Sequence, residues 1–250
     1  IRIFHTMLSE WVEREIIDFD EYTFLKVEKP IISCLYLLPK VHKDINNPPG
    51  RPIVASNGSL LEKASIYVNN FLLPYVVSLP SYCRDSTDFL RQIKGIVWED
   101  NYSFMTLDVC SLHTSIRHND GLKACKHFLR SRPVHLYDHT LILLDIIDFC
   151  LNNNMFVFED QYYKQISGTA MGTCFAPSYV GFHIDWWEEQ VLWSDDMLAH
   201  TGNIIMWSHY IDNIFIIWGG TKKQDDDFFV RIQDNNLNLK FTAIISPNRI

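Results

Sequence analysis

Two aspartates in this chain stand where an apolar run gives out. Asp108 closes "YSFMTLDV", and Asp212 lies at the centre of "WSHYIDNIFIIW", with apolar arms on both sides and Asn213 directly after it. Each could simply end its strand in a turn, where aspartate is common. If the two strands are sheet neighbours, however, both carboxylates meet at one edge. They could then hold one or two divalent metal ions, an arrangement that clamps the attacking and leaving oxygens of an in-line phosphoryl transfer. "SGTAMGTCFAPSYVGFHI", Ser167 to Ile184, adds small residues and two glycines in a turn ahead of a helix. Backbone at such a turn can approach a planar ligand closely.

The elements that must position these groups alternate irregularly. "IISCLYLLPKV" and "RPIVAS" read as strands on either side of "KDINNPPGRP", Lys43 to Pro52, a polar loop rich in proline; together they predict an antiparallel finger with a basic tip. Ser59 and Glu62 have capping-box spacing ahead of "LLEKASIYVNNFLL", which predicts a helix to about Pro74. Further helices are expected near Asp85 and near Asp120, where "DGLKACKHFLRSR" is stopped by Pro133, and in "HTLILLDIIDFCLNN", apolar on most faces and therefore buried. Strands are expected at 102–109, in hairpins over 155–166 and around Asp212, and at 237–246. The pattern is α+β, an antiparallel sheet covered by helices on one face.

With 250 residues, 47% of them hydrophobic and 14% aromatic, the chain can bury a core as one large domain or two small lobes. No apolar run approaches the ~18 residues that span a bilayer, and no secretory leader pattern opens the chain, so an intracellular protein of nucleus or cytoplasm is expected, without a membrane partner. The six cysteines never form C-x-x-C pairs, which predicts buried free thiols in a reducing compartment. A net charge of −8 argues against a surface that coats phosphates generally. Contact with nucleic acid must then be local, or be helped by further segments. Beginning at Ile1 without a methionine and ending at Ile250 in what reads as mid-structure, the chain is expected to be a fragment.

Taken in order, "LPKVHK…GRPIVAS", "TLDVCSLHTSI", "GTAMGTCFAP" and "HYIDNIFIIW" resemble the successive motifs of reverse transcriptases, specifically those of Penelope-like retroelements, from about Leu35 to Thr242. The resemblance implies a right-hand polymerase fold. A fingers-like region with the basic hairpin and helices would occupy residues 1–100, and a palm with a ferredoxin-like sheet residues 101–250. It also implies RNA-directed DNA synthesis from an RNA template, a DNA primer and dNTPs, with two magnesium ions for which manganese could substitute. Asp108 falls on the family's first metal-binding aspartate, with the Val109 carbonyl as an additional ligand, and Asp212 on the first aspartate of the Tyr-x-Asp-Asp turn. Arg51 matches the finger arginine that contacts the incoming triphosphate, and Lys40 a second contact; both cations would offset phosphate charge. Met171 and Gly172 fall on the turn that packs against the nascent base pair and template. Relatives continue into a thumb and a GIY-YIG endonuclease, neither recognisable here.

Two positions depart from that pattern. Asn213 replaces the second aspartate of the turn, so a neighbouring cation loses Coulomb attraction of up to ~4 kcal/mol at an effective dielectric near 20 and 4 Å. An asparagine carbonyl remains an acceptable oxygen ligand, and some viral RNA polymerases resemble this Asp-Asn arrangement. His113 replaces the tyrosine that would sit under the sugar of the incoming nucleotide; the smaller, titratable ring is expected to loosen discrimination against ribonucleotides. Lys240 lies near where the family that the chain resembles carries a region that helps protonate the leaving pyrophosphate, against the alternative of a strand-edge lysine. The expected function is an RNA-directed DNA polymerase impaired at Asn213. The alternatives are an inert nucleic-acid-binding relic of the same fold and an unrelated two-carboxylate nuclease, which leaves "GRPIVAS" unexplained.

Overall fold

The proline-rich break at Lys43 to Pro52 does turn the chain back on itself. In the computed structural model, which describes residues 1–246, packing divides the chain into two units of two segments each. Residues 1–72 join 117–179, and residues 73–116 join the chain from Val180 on. This division interleaves the sequence, whereas motif order suggested two sequential regions.

The first unit holds α1 (Arg2–Glu13), α2 (Phe19–Leu25), β1 (Ser33–Pro39), β2 (Gly50–Ala55) and most of α3 (Leu60–Val76). The chain passes α4 (Ser86–Ile93), β3 (Ser103–Val109) and α5 (Leu112–Ser115) of the second unit before returning with α6 (His118–Leu129), α7 (Tyr137–Asn152), β4 (Met155–Phe158) and β5 (Gln161–Lys164). β1 and β2 pair antiparallel with Leu38 opposite Arg51. β1 also pairs parallel with β4, joining both hairpins into one sheet of order β2-β1-β4-β5. The sheet core is continued by α7, whose Ile142, Leu143, Ile146 and Ile147 are all buried and whose Phe149 stacks on Phe4 at 4.7 Å.

Local chemistry sets the ends of these elements, with some differences from expectation. Ser59 Oγ accepts from Leu61 N at 3.2 Å, while the Glu62 carboxylate accepts from Gly58 N at 2.7 Å. The reciprocal capping box is therefore replaced by two bonds, each offset by one residue. Helix α3 runs two residues past Pro74 to Val76, because a proline in the last turn forfeits only one intrahelical bond. Helix α6 starts at His118, two residues before Asp120, and Asp120 instead pairs with Arg117 Nε at 2.5 Å from inside the first turn. All six cysteines are free, but only Cys83, Cys125 and Cys150 are buried; Cys34 and Cys174 are exposed. Burial pushes the Cys150 thiol up to about 12.

The second unit adds α8 (Ala176–Trp187), whose first turn lies in the other unit, then α9 (Leu198–Thr201), β6 (Ile204–Tyr210), β7 (Asn213–Trp218), α10 (Lys222–Gln233) and β8 (Phe241–Ser246). Its sheet has the order β8-β3-β7-β6 with every neighbouring pair antiparallel. Setting aside residues 117–179, β3-α8-β6-β7-α10-β8 is the ferredoxin-like β-α-β-β-α-β run. Alternation along β3 buries Met105, Leu107 and Val109 and leaves Thr106 and Asp108 on the other face. The buried face packs on aromatic rings of both helices: Trp187 lies 4.9 Å from Phe241, and Phe228 lies 4.9 Å from Trp218. Helix α4 covers part of the opposite face, with Phe89 edge-on to Phe215 at 4.9 Å and Gln92 accepting from Ser208 Oγ at 2.7 Å. Among the described residues no helix is long and apolar enough to cross a membrane.

Candidate active site

The register of the second sheet brings the two aspartates together. Asp108, last but one in β3, sits directly opposite Asn213, the first residue of β7, and Asn213 in turn sits opposite Tyr210. Directly opposed residues project from the same face with Cβ atoms ~4.5–5.5 Å apart. The β6–β7 connection is only Ile211 and Asp212, and the Asp212 carbonyl accepts from Val109 N at 2.9 Å. Cys110 N donates to the Lys240 carbonyl at 2.7 Å, so the end of β3 is bracketed from both sides. Asp108 is consequently exposed on the open face, beside the turn that carries Asp212.

That turn is strained. Ile211 has φ of 54°, the left-handed region that a β-branched side chain avoids, at a cost of order 1–3 kcal/mol. Two-residue hairpin turns that need a positive φ first ordinarily use glycine there. The strain is sustained by the strand pairing on both sides and fixes where Asp212 emerges.

Asn213 does more than leave a charge out. Its Nδ2 donates to Asp212 Oδ1 at 2.9 Å, so the amide orients the neighbouring carboxylate, a bond an aspartate could not donate. Spacing in the sequence carries no signal for it. Asp108, Asp212 and the Val109 carbonyl are the groups expected to hold metal, and their hard oxygens are of the kind that magnesium and manganese take. Among the described residues no group of three or more His, Cys, Asp or Glu side chains is placed to hold a metal ion. The set is thus two carboxylates with an amide, one charge short of a carboxylate triad. His113 lies half-buried in α5, which follows β3 after Ser111 at φ 51°. A cavity of about 600 Å³ opens on the same sheet face, between Thr106, Tyr210, Asn213 and Phe215 on one side and Asp85 and Phe89 of the α4 entry on the other. No local sequence pattern signals it, because its walls come from residues far apart in the chain.

The remaining expected contacts lie in the first unit. Arg51 is exposed on β2, and Lys40, half-buried just past β1, donates its N–H to the Pro49 carbonyl at 2.9 Å. The Met171 carbonyl accepts from Val54 N at 2.9 Å, and Ser56 Oγ donates to the Gly172 carbonyl at 3.3 Å. The glycine turn is thereby clamped to the strand that carries Arg51. Gly172 has φ of 115°, and a Cβ there would strike the Val54 carbonyl. Gly172→Ala is therefore expected to destabilise the protein by ~1–3 kcal/mol, measured as a lowered midpoint in urea; an unchanged midpoint would contradict the clamp.

Lys240 Nζ donates to the Gln233 carbonyl at 2.6 Å, at the end of α10. This supports the structural alternative, since a cation at a helix C-terminus is favourable by ~0.3–1 kcal/mol. Lys240→Ala should lower stability by about that much, and a stability change indistinguishable from zero in a denaturant titration would remove the assignment.

No family model and no curated protein matches the sequence. Solved structures do match its fold, which is the right-hand fold of RNA-directed polymerases. Telomerase from Candida albicans in complex with a TWJ fragment of telomeric RNA aligns with 98% of this chain at TM-score 0.64 and 10% identity. Apo telomerase from Candida tropicalis truncated from its C-terminal domain aligns with 98% at TM-score 0.55 and 10% identity. The BmCPV RNA-dependent RNA polymerase in its elongation state aligns with 98% at TM-score 0.56 and 12% identity. The chain spans 46%, 55% and 22% of those three proteins. Identities this low establish a shared fold and nothing finer.

Proposed function

We propose that this chain is the fingers-and-palm portion of an RNA-directed DNA polymerase of the Penelope-like retroelement kind. The observation that carries the reading is the placement of Asp108 and the Asp212 turn at one edge of a ferredoxin-like sheet, through the Asp108–Asn213 register and the Val109–Asp212 bond. The reaction is attack of a primer 3′-oxygen on the α-phosphorus of a dNTP: an O–P bond forms, the α–β bridging bond breaks, the hydroxyl proton passes to water and pyrophosphate departs. Asp108, Asp212 and the Val109 carbonyl are the groups assigned to hold magnesium or manganese, which when bound supplies positive charge where phosphate charge develops. Asn213 orients Asp212 in that role. Arg51 and Lys40 are the cations assigned to the triphosphate, Met171 and Gly172 to the base pair, and His113 to the sugar of the incoming nucleotide. Thumb and endonuclease segments, as in full-length relatives, would supply the basic surface that a chain of net charge −8 lacks.

The second reading is an inert relic of the fold that still binds nucleic acid. Its support is the two-carboxylate count, which leaves one fewer anion for a cation. Extension of a labelled DNA primer on an RNA template separates the readings: a polymerase lengthens the primer, a nuclease shortens it, and the relic retards it in a gel without changing its length.

A further inference from the structure

The glycine turn assigned to the base pair has little of its own to hold it. From Ser167 to Gly172 the residues are Ser-Gly-Thr-Ala-Met-Gly, so Met171 brings the one large side chain. Gly168 and Gly172 have φ of 72° and 115°, and glycine loses more conformational freedom than any other residue when such a state is fixed. The shape of the turn therefore rests on the hydrogen bonds its backbone makes. Strand β2 grips the later leg, through Val54 N to the Met171 carbonyl and Ser56 Oγ to the Gly172 carbonyl. The earlier leg is gripped by side chains that the proposed chemistry leaves without a role.

His118, the first residue of α6, has Nε2 3.0 Å from the Gly168 carbonyl, and Gln165, directly after β5, has Nε2 2.9 Å from the Ser167 carbonyl. A carbonyl only accepts, so both facing nitrogens carry hydrogen. For His118 this puts a proton on Nε2 in the neutral ring and in the imidazolium alike, and the bond survives in either. For Gln165 it fixes the amide: Nε2 faces Ser167, and Oε1 faces Asn154, accepting from Asn154 Nδ2 at 2.7 Å. Asn154 is 6% exposed, sits between α7 and β4, and its carbonyl accepts from Gln165 N at 2.9 Å. Donation thus runs in one direction, from Asn154 through Gln165 to Ser167, off the base of the β4–β5 hairpin. Gly168 is itself buried, where a carbonyl left without its donor is costly.

We propose that His118 and Gln165, with Asn154 behind Gln165, are positioning residues that brace the earlier leg of the turn, and that the brace sets how strictly the nucleotide complementary to the template is selected. A wall that accepts a matched pair and refuses a mismatched one works by clash, and clash requires that the wall not yield. With both legs held, Met171 stays in place; with the earlier leg free, rotation at Gly168 lets the turn give way. The effect on selection rests on the polymerase reading, whereas the brace itself does not.

The test compares His118→Phe, which keeps a ring and loses the donor, with His118→Gln, whose amide nitrogen stands in for the imidazole Nε2. Amide exchange followed by NMR reads the brace. The Val54 N–H bonds the turn at the Met171 carbonyl, and relative to Ile146 in the core of α7 it should exchange about tenfold faster in His118→Phe, the scale of one lost hydrogen bond. In His118→Gln it should exchange at the unaltered rate. Primer extension reads the consequence: the ratio of kcat/KM for matched over mismatched dNTP should fall about tenfold in His118→Phe and recover in His118→Gln. A substitution that merely weakens the fold lowers the active fraction for both nucleotides alike and leaves this ratio unmoved. Should His118→Phe fail to fold, Gln165→Met, which keeps the side-chain length and removes the donor to Ser167, carries both readouts against the unaltered chain. Unchanged Val54 exchange in the variant that lacks the donor, equal acceleration in His118→Gln, or an unmoved selection ratio would overturn the proposal. The expected exchange pattern with no primer extension by the unaltered chain would count against the polymerase reading alone.

Discussion

Asn213→Asp is expected to raise magnesium-dependent nucleotide incorporation by about ten- to a hundredfold. The added charge sits beside Asp212, to which Asn213 now donates at 2.9 Å. Two unit charges 4 Å apart interact by ~4 kcal/mol at an effective dielectric of 20, and an exposed site screens part of that. A residual ~1.5–3 kcal/mol corresponds to the stated range at 1.36 kcal/mol per tenfold. The variant should also behave oppositely without metal. It loses the amide donor and sets two carboxylates side by side, so its metal-free stability should drop by ~1 kcal/mol and recover as manganese or magnesium is added. Single-turnover primer extension and thermal unfolding across a metal titration check both halves. Incorporation that falls in both metals would show that the orienting amide matters more than the second charge.

Asp212→Ala and Asp108→Ala are expected to have the larger effect, a loss of at least about a thousandfold in incorporation, because on the proposed function several kcal/mol of charge stabilisation depends on the metal assigned to them. Folding should survive. Asp108 is exposed, and the bonds that shape the turn, from Val109 N to the Asp212 carbonyl and from Cys110 N to the Lys240 carbonyl, are made by the backbone. Each variant should therefore unfold within about 1 kcal/mol of the unaltered chain, the usual range for surface substitutions, while manganese affinity, read by electron paramagnetic resonance, drops. Loss of activity with unchanged manganese binding would place the metal elsewhere.

The parts of this account legible in the sequence were those written in short-range pattern. The apolar arms around Asp212 gave the hairpin, and the apolar run that closes at Asp108 gave β3; the alternation that turns Asp108 outward is visible only in the structure. Motif order gave the right-hand fold, which the structural relatives bear out. What escaped depends on contacts between distant residues. The parallel β1–β4 pairing that merges two hairpins has no local signature, and neither does the interleaving of the two packing units. His118 meets the Gly168 carbonyl across 50 positions. Asn213 was legible as a missing charge, whereas its bond to Asp212 required the side chains in place.

The account stands most directly on one measurement: single-nucleotide extension of a DNA primer on RNA templates that differ only in the next base, with magnesium or manganese, by the unaltered chain and by Asp108→Ala. The account predicts that the unaltered chain adds the nucleotide complementary to each template and that Asp108→Ala adds none. Addition that ignores the template base, or that persists in Asp108→Ala, would contradict it.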